Sequence, residues 1–265
     1  MQDLKVYVIN LDRRPDLWKA SKHTLQRAGF KRIERVSAID GKLLSKETVR
    51  DHVDPEVFKR IHPSKRNFKE IEMYREIARY MSHIKVWMMI AERNERALVV
   101  EDDMECHALF KEFNLCKNPS TLSNYEFVLL ASTIREQNKL KKTDLHTSQG
   151  IYEYDGSFLD TYFYYLTPQG ANYFIQDSIP ILYPLETYMS KKVKNKDIQF
   201  RSGVHRPNMG TRDPSIVHIQ VFFEDQQQKF SVNNWIKQIL TILFIILICI
   251  VIISLVKILN ALHKE

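Results

Sequence analysis

A chain of 265 residues, 44% hydrophobic and 27% charged, carries enough apolar material for one sizeable buried core, which excludes a disordered or fibrous chain. Its formal charge of +7 favours acidic partners, but no zinc-finger spacing, glycine-rich phosphate loop or nucleic-acid module accompanies that charge, so nucleic acid is set aside. The three cysteines exclude an extracellular disulfide framework, because Cys249 lies within a long apolar run.

The first residues lack the cationic and apolar regions of a secretory leader and pass directly into a β-branched strand, Lys5 to Asn10. A polar loop carrying Arg13 and Arg14 follows. There two guanidiniums could meet phosphate oxygens in bidentate fashion. Pro15 suits a first helical turn, Leu17, Trp18, Leu25 and Ala28 supply an apolar face, and Gly29 ends the helix. A second strand, Arg32 to Ser37, runs into Ala38-Ile39-Asp40-Gly41, completing a βαβ opening. From Phe68 to Glu92, apolar residues recur near helical spacing (Ile71, Tyr74, Ala78, Met81, Ile84, Trp87, Ile90), which predicts a long helix with His83 late on it.

The segment Ala97 to Met104 carries the most chemistry, because a short apolar run stops at Glu101, Asp102 and Asp103. A Leu- and Val-rich run reads as a buried parallel strand, and open α/β sheets bind ligands at the carboxyl ends of such strands. Three carboxylates there make either a solvated acidic turn or a site for Mg²⁺ or Mn²⁺. Such a metal takes one or two carboxylates and completes its shell with water and substrate phosphates. Further strands are expected at Tyr125 to Ala131, Ile151 to Tyr154 and Tyr162 to Leu166, with an exposed loop at Lys139 to Gly150 and a helix opened by Thr167-Pro168. The tyrosines 152, 154, 162, 164 and 165 suit sheet packing or the lining of a sugar site.

A basic cluster, Lys191, Lys192, Lys194, Lys196, Arg201, His205, Arg206 and Arg212, suits three uses. It can be a solvated surface facing lipid, a holder of a nucleotide sugar or acidic acceptor, or an attractor of sulfated glycosaminoglycan. Gln238 to Val256 contains no charged residue, and at about 1.5 Å per residue it nearly spans a ~30 Å hydrocarbon core. The expected organisation is thus an α/β domain over residues 1–228, a linker over 229–237, a transmembrane helix over 238–256 and a short tail over 257–265. With no leader and no usable Asn-X-Ser/Thr site, the domain is expected on the cytosolic side of its membrane.

Several of these segments together resemble glycosyltransferase family 25, the lipooligosaccharide and collagen galactosyltransferase group. The match is carried by Val8 to Asp16, Ala38 to Gly41, Glu76-Ile77-Ala78, Ser82 to Trp87 and Leu98 to Asp103, and more faintly by Tyr165 to Ala171 and Pro184-Leu185-Glu186. Arg75 and Arg79 depart from the pattern, standing where the family tends to carry glycine and cysteine beside the expected donor site. The resemblance implies a GT-A-like (Rossmann-like) domain that transfers a hexose from a UDP-sugar to an acceptor hydroxyl on a glycan or protein, with Mn²⁺ or Mg²⁺. It implies Asp103 as the main metal ligand, with Glu101 or Asp102 completing the site or holding ribose. Arg13, Arg14, Asp40, Glu76 and His83 would lie at the donor site. Glu186 would be the base, and His205 or His218 a late metal ligand.

The C-terminal apolar segment adds a second likeness. Together with Glu76 to Arg79, Leu98 to Asp103 and Asp213-Pro214 to Val217, it is similar to the poxviral envelope proteins that bind cell-surface heparan sulfate. That likeness implies attachment by a glycosyltransferase-like module in a virion membrane.

Overall fold

In the computed structural model residues 1, 3–61, 68–106, 110–117, 119–134, 137–142, 150–195 and 200–212 are described, all within the unit Met1–Val217. The β-branched N-terminal run forms β1 (Lys5–Asn10), and α1 (Pro15–Arg27) begins on Pro15 as expected. Gly29, at φ 96°, closes α1 in a Schellman turn. Its N–H meets the Gln26 carbonyl at 2.9 Å and the Phe30 N–H meets the Leu25 carbonyl at 3.1 Å, while Leu25 and Phe30 bury together in the core. Then come β2 (Arg32–Ser37), α2 (Lys46–His52), α3 (Pro55–Ile61) and the long α4 (Phe68–Glu92). Next are β3 (Ala97–Glu101), β4 (Met104–Cys106), α5 (Asn114–Lys117), β5 (Phe127–Ala131), β6 (Leu140–Lys141), β7 (Ile151–Tyr154) and β8 (Phe163–Leu166). The last described elements are α6 (Pro168–Ile175), α7 (Leu185–Lys194), β9 (Ser202–His205) and β10 (Gly210–Arg212).

Eight strands make one sheet in the order β2-β1-β3-β8-β5-β9-β7-β6, and β4 pairs with β10 in a separate ribbon. The strands β2, β1 and β3 are parallel, as are β5 and β9, whereas β8 is antiparallel to both neighbours. This arrangement brings the carboxyl ends of six strands and the amino ends of β8 and β7 to one edge of the sheet. Strand alternation then sorts the core into two layers. Val6, Val8, Leu98, Val100, Val128, Leu130, Phe163 and Tyr165 share a cluster with Leu25 and Phe30. On the other face, Trp87 of α4 lies 5.2 Å from Phe174 of α6, which meets Phe127 at 5.4 Å. With both faces covered, the central strands are buried throughout and apolar up to Glu101, the pattern that made them legible.

Two expectations need correction. Within the loop expected at Lys139 to Gly150, Leu140–Lys141 pairs antiparallel with β7 as an edge strand. Ser202–His205, where no strand was expected, belongs to the sheet: Gly203 packs so close to β7 that a Cβ there would stand 2.5 Å from Ile151 Cγ2. Among the described residues no helix is long and apolar enough to cross a membrane, and the segments 229–237, 238–256 and 257–265 lie outside them.

Gly41 sets how closely the loop after β2 approaches α4, since a Cβ there would stand 2.7 Å from the Tyr74 carbonyl oxygen and 2.8 Å from the Arg75 Cα. Both are backbone atoms of a helix and cannot turn aside. Gly41→Ala is expected to destabilise the protein by about 1–3 kcal/mol through overpacking, read as a lower urea midpoint with an unchanged slope.

Candidate active site

The carboxyl ends of β1, β2 and β3 are tied together by Asn10, which is buried at the end of an otherwise apolar strand. Its Nδ2 donates to Asp102 Oδ2 at 2.6 Å and to the Arg14 carbonyl at 2.9 Å, and its Oδ1 accepts from Arg35 Nε at 2.7 Å. One amide thus orients Asp102, the start of α1 and the end of β2. Sequence reasoning passed over Asn10; the signal was a polar residue closing the run Val6-Tyr7-Val8-Ile9. Around it, Arg13 Nε donates to Asp40 Oδ2 at 2.5 Å, and this guanidinium holds the Asp40 carboxyl below its ordinary range. Arg14 pairs with Asp16 at 2.8 Å. The Asp40 loop is fastened to α4, where Ser82 Oγ accepts the Ile39 N–H at 2.9 Å.

The three acids at the end of β3 take different directions. Glu101 lies on the α4 face and is 7% exposed. Its Oε1 accepts from Arg79 Nη2 at 2.6 Å and from Arg79 Nε at 2.9 Å. The guanidinium also reaches Glu186 Oε1 at 2.6 Å and Glu76 at 3.7 Å. Burial opposes the charge on Arg79, but the fields of Glu101, Glu186 and Glu76 outweigh it and keep the guanidinium protonated well above its ordinary value.

His83 extends this network into the core. Trp87 Nε1 can only donate, and it donates to the Tyr164 oxygen at 2.8 Å. The Glu101 carboxylate can only accept, so His83 Nε2–H faces its Oε1 at 3.2 Å, and in the neutral ring Nδ1 is then the acceptor of the Tyr164 hydroxyl at 2.8 Å. Burial holds His83 below its ordinary pKa, against the raising effect of Glu101, so the ring is neutral in this arrangement.

The expected site residues are therefore divided between two groups. Arg13, Arg14, Asp40 and Asp102 gather around the ends of β1 and β2, with Asp103 next along the chain. Glu76, His83, Glu101 and Glu186 gather instead around Arg79. Glu186, at 2% exposure with Oε1 on Arg79 and Thr161 Oγ1 3.4 Å away, is placed as a counter-ion at the start of α7. A general base, by contrast, must reach the hydroxyl it deprotonates. His205 is buried with Nδ1 2.7 Å from the Pro207 carbonyl, and His218 lies outside the described residues. Among the described residues no group of three or more His, Cys, Asp or Glu side chains is arranged to hold a metal. Of the three acids, Glu101 is committed to Arg79 and His83, whereas Asp102 Oδ2 receives Asn10 Nδ2.

The fold is thus that of a mixed α/β protein, with acidic and basic side chains gathered at the carboxyl ends of its parallel strands, where open α/β sheets take their ligands. The chain belongs to glycosyltransferase family 25: that family's model, described as glycosyltransferase family 25 (LPS biosynthesis protein), matches residues 3–189. It is 31% identical over 181 residues to a protein of Acanthamoeba polyphaga mimivirus named as a glycosyltransferase, covering 66% of this chain and 48% of the relative. The chain thus spans about half the length of the curated relative it matches. Among solved structures it is similar to apo-UDP-glucose pyrophosphorylase, with 13% identity over 79% of this chain and 92% of that one at a TM-score of 0.40. The inositol-1-phosphate CTP transferase from T. maritima aligns with 13% identity over 84% and 94% at a TM-score of 0.38.

Two outcomes test the buried network. Arg79→Met leaves two buried carboxylates without their cation and is expected to lower stability by about 3–5 kcal/mol, measured by urea unfolding at pH 7. His83 has a depressed folded-state pKa, so the unfolded chain binds more protons and stability is lost as pH falls below about 6.5. In His83→Gln, the decline in urea midpoint between about pH 6.5 and pH 5 should flatten measurably; an unchanged decline assigns it to other groups.

Proposed function

We propose that this chain is a GT-A-type glycosyltransferase that binds a nucleotide diphosphate sugar, most simply UDP-linked, at the carboxyl ends of β1 to β3 and transfers the hexose to an acceptor hydroxyl. The observation that carries this reading is the Asn10–Asp102 contact, with Arg13 and Arg14 in the adjoining loop. It sets an oriented carboxylate beside guanidiniums where an α/β sheet takes its ligand. Asp102 and Asp103 are the residues that would hold Mn²⁺ or Mg²⁺. Bound there, the cation would neutralise charge on the departing diphosphate. Arg13 and Arg14 each keep 43% of their side-chain surface, Arg14 in an exposed pair of small worth and Arg13 beside the more buried Asp40, so both guanidiniums can be reached by phosphate when a donor arrives. Glu101, Glu186 and His83 act through Arg79 as positioning groups.

The apolar run 238–256 supports a single membrane anchor, giving a membrane-bound transferase. Attachment to glycosaminoglycan draws on the basic stretch of α7. There Lys192 pairs with Asp177 at 2.9 Å and Lys191 lies 3.9 Å from the Tyr183 ring centroid, so part of that charge is already engaged. The transfer reading is taken for this reason.

Calorimetric titration of the full-length chain with UDP-glucose and UDP-galactose, with and without Mn²⁺, tests the donor site. Metal-dependent binding is expected, weakened at least about a hundredfold in Asp103→Ala. Failure of both sugars to bind, or undiminished binding by the variant, would overturn the assignment of the acidic segment.

A further inference from the structure

Two guanidiniums are drawn into the functional edge of the sheet, and the protein surrounds them oppositely. Arg79 sits among three carboxylates, whereas Arg206, directly after β9, pairs with no carboxylate among the described residues. Its Nη1 donates to the His205 carbonyl at 2.9 Å and to Asn208 Oδ1 at 2.5 Å. Its Nη2 lies 3.3 Å from the Ser132 carbonyl oxygen and 3.5 Å from Ser132 Oγ. All four acceptors are neutral, and Nε has no hydrogen-bond partner among the described residues. Burial lowers the Arg206 pKa from its ordinary value, with the nearby phenols of Tyr162 and Tyr154 opposing that shift. A half-buried cation without a counter-ion is unfavourable to build, and an arriving anion would repay that penalty.

The surroundings hold this cation in place. Asn208 Nδ2 donates to the Ser132 carbonyl at 3.1 Å, its Oδ1 accepts the Ser132 N–H at 3.3 Å, and the Met209 N–H meets the Leu130 carbonyl at 2.9 Å. The loop carrying Arg206 is thus stapled to the end of β5. Only β8 separates β5 from β3, so the ends of these two strands lie about 10 Å apart, with Ser132 directly after the end of β5. Arg206 therefore follows a strand end on the same edge as Asp102 and Asp103, with β8 and β5 between it and β3.

We infer that Arg206 anchors an anionic group, carboxylate or phosphate, carried by the acceptor that receives the hexose. The planar fork of arginine matches either oxyanion. The word acceptor rests on the transfer reading above; the anion site itself does not.

The test titrates the full-length chain with three probes, glucose, glucuronate and glucose 6-phosphate, with and without saturating UDP. At least one acidic probe should bind roughly tenfold or more tighter than glucose, and the stronger of the two identifies the acid. Arg206→Gln should remove this preference while leaving UDP-glucose affinity unchanged, and Arg206→Lys, which keeps the charge but not the fork, should retain part of it. Urea unfolding of both variants checks the fold; if the Gln variant does not fold, a reduced but measurable preference in the Lys variant is the required result. Equal binding of charged and neutral probes, or a preference that survives in Arg206→Gln, would overturn the anion site. Displacement of the acid by UDP would overturn its assignment to the acceptor. Arg206-dependent acid binding in a chain that binds no UDP-sugar would instead count against the transfer reading and leave the anion site standing.

Discussion

The ion cluster at Arg79 is the constraint around which the functional edge is arranged. A guanidinium whose side chain keeps only 14% of its surface has given up most of its hydration, and Glu101 and Glu186, at 2.6 Å each, replace what water supplied. Those two acids come from β3 and from the first turn of α7, while Arg79 itself belongs to α4. A single charge therefore fixes three elements to one another at the edge where ligands bind. The network has a definite polarity, because Trp87 at one end can only donate, the Glu101 carboxylate at the other can only accept, and the imidazole between them is neutral. Tyr164, His83 and Glu101 consequently have one consistent hydrogen-bond assignment, and a side chain placed in this way has little freedom to rearrange.

Strand parity explains why three adjacent acids do different work. Val99 and Glu101 share the α4 face of β3, opposite Leu98 and Val100 in the core cluster around α1. Glu101 therefore meets Arg79 and His83. Beyond the strand the chain turns toward β1, where the Asp102 N–H bonds to the Ile9 carbonyl at 3.2 Å and its carboxylate receives Asn10. The motif is thus a structural acid followed by acids at the ligand edge. The departure at position 79 fits this division: where the family resemblance expects cysteine, arginine supplies a cation for the strand-end glutamate.

The parts of the fold that were legible in the sequence are those whose burial imposes a pattern. Runs such as Ala97–Glu101 and Phe127–Ala131 are apolar because both faces of their sheet are covered, and the helices starting at Pro15 and Pro168 carry local start signals. Ser202–His205 was hidden, because a glycine and polar residues obscure a strand whose place is set by pairing with β5 and β7. Topology was also out of reach, since nothing in Phe163–Leu166 says that it enters between β3 and β5 in the opposite direction. At the site, the acids and the loop arginines were readable as residue types. Their division was not, because it depends on contacts across long separations, such as Asn10 with Asp102 and Arg79 with Glu186.

Burial also determines what each arginine in this edge can do. Arg13 and Arg14 keep 43% of their side-chain surface, so both guanidiniums stay largely hydrated beside Asp40 and Asp16, and such pairs exchange partners more readily than buried ones. Arg79 is shielded and fully neutralised by the fold, which suits it to structure and makes it a poor ligand group. Arg206 lies between these cases, partly desolvated but met only by neutral oxygens. A cation that is immobilised yet not neutralised keeps its field for something outside the chain. Of the four, it is therefore the one whose surroundings are completed by a bound anion and not by the protein itself.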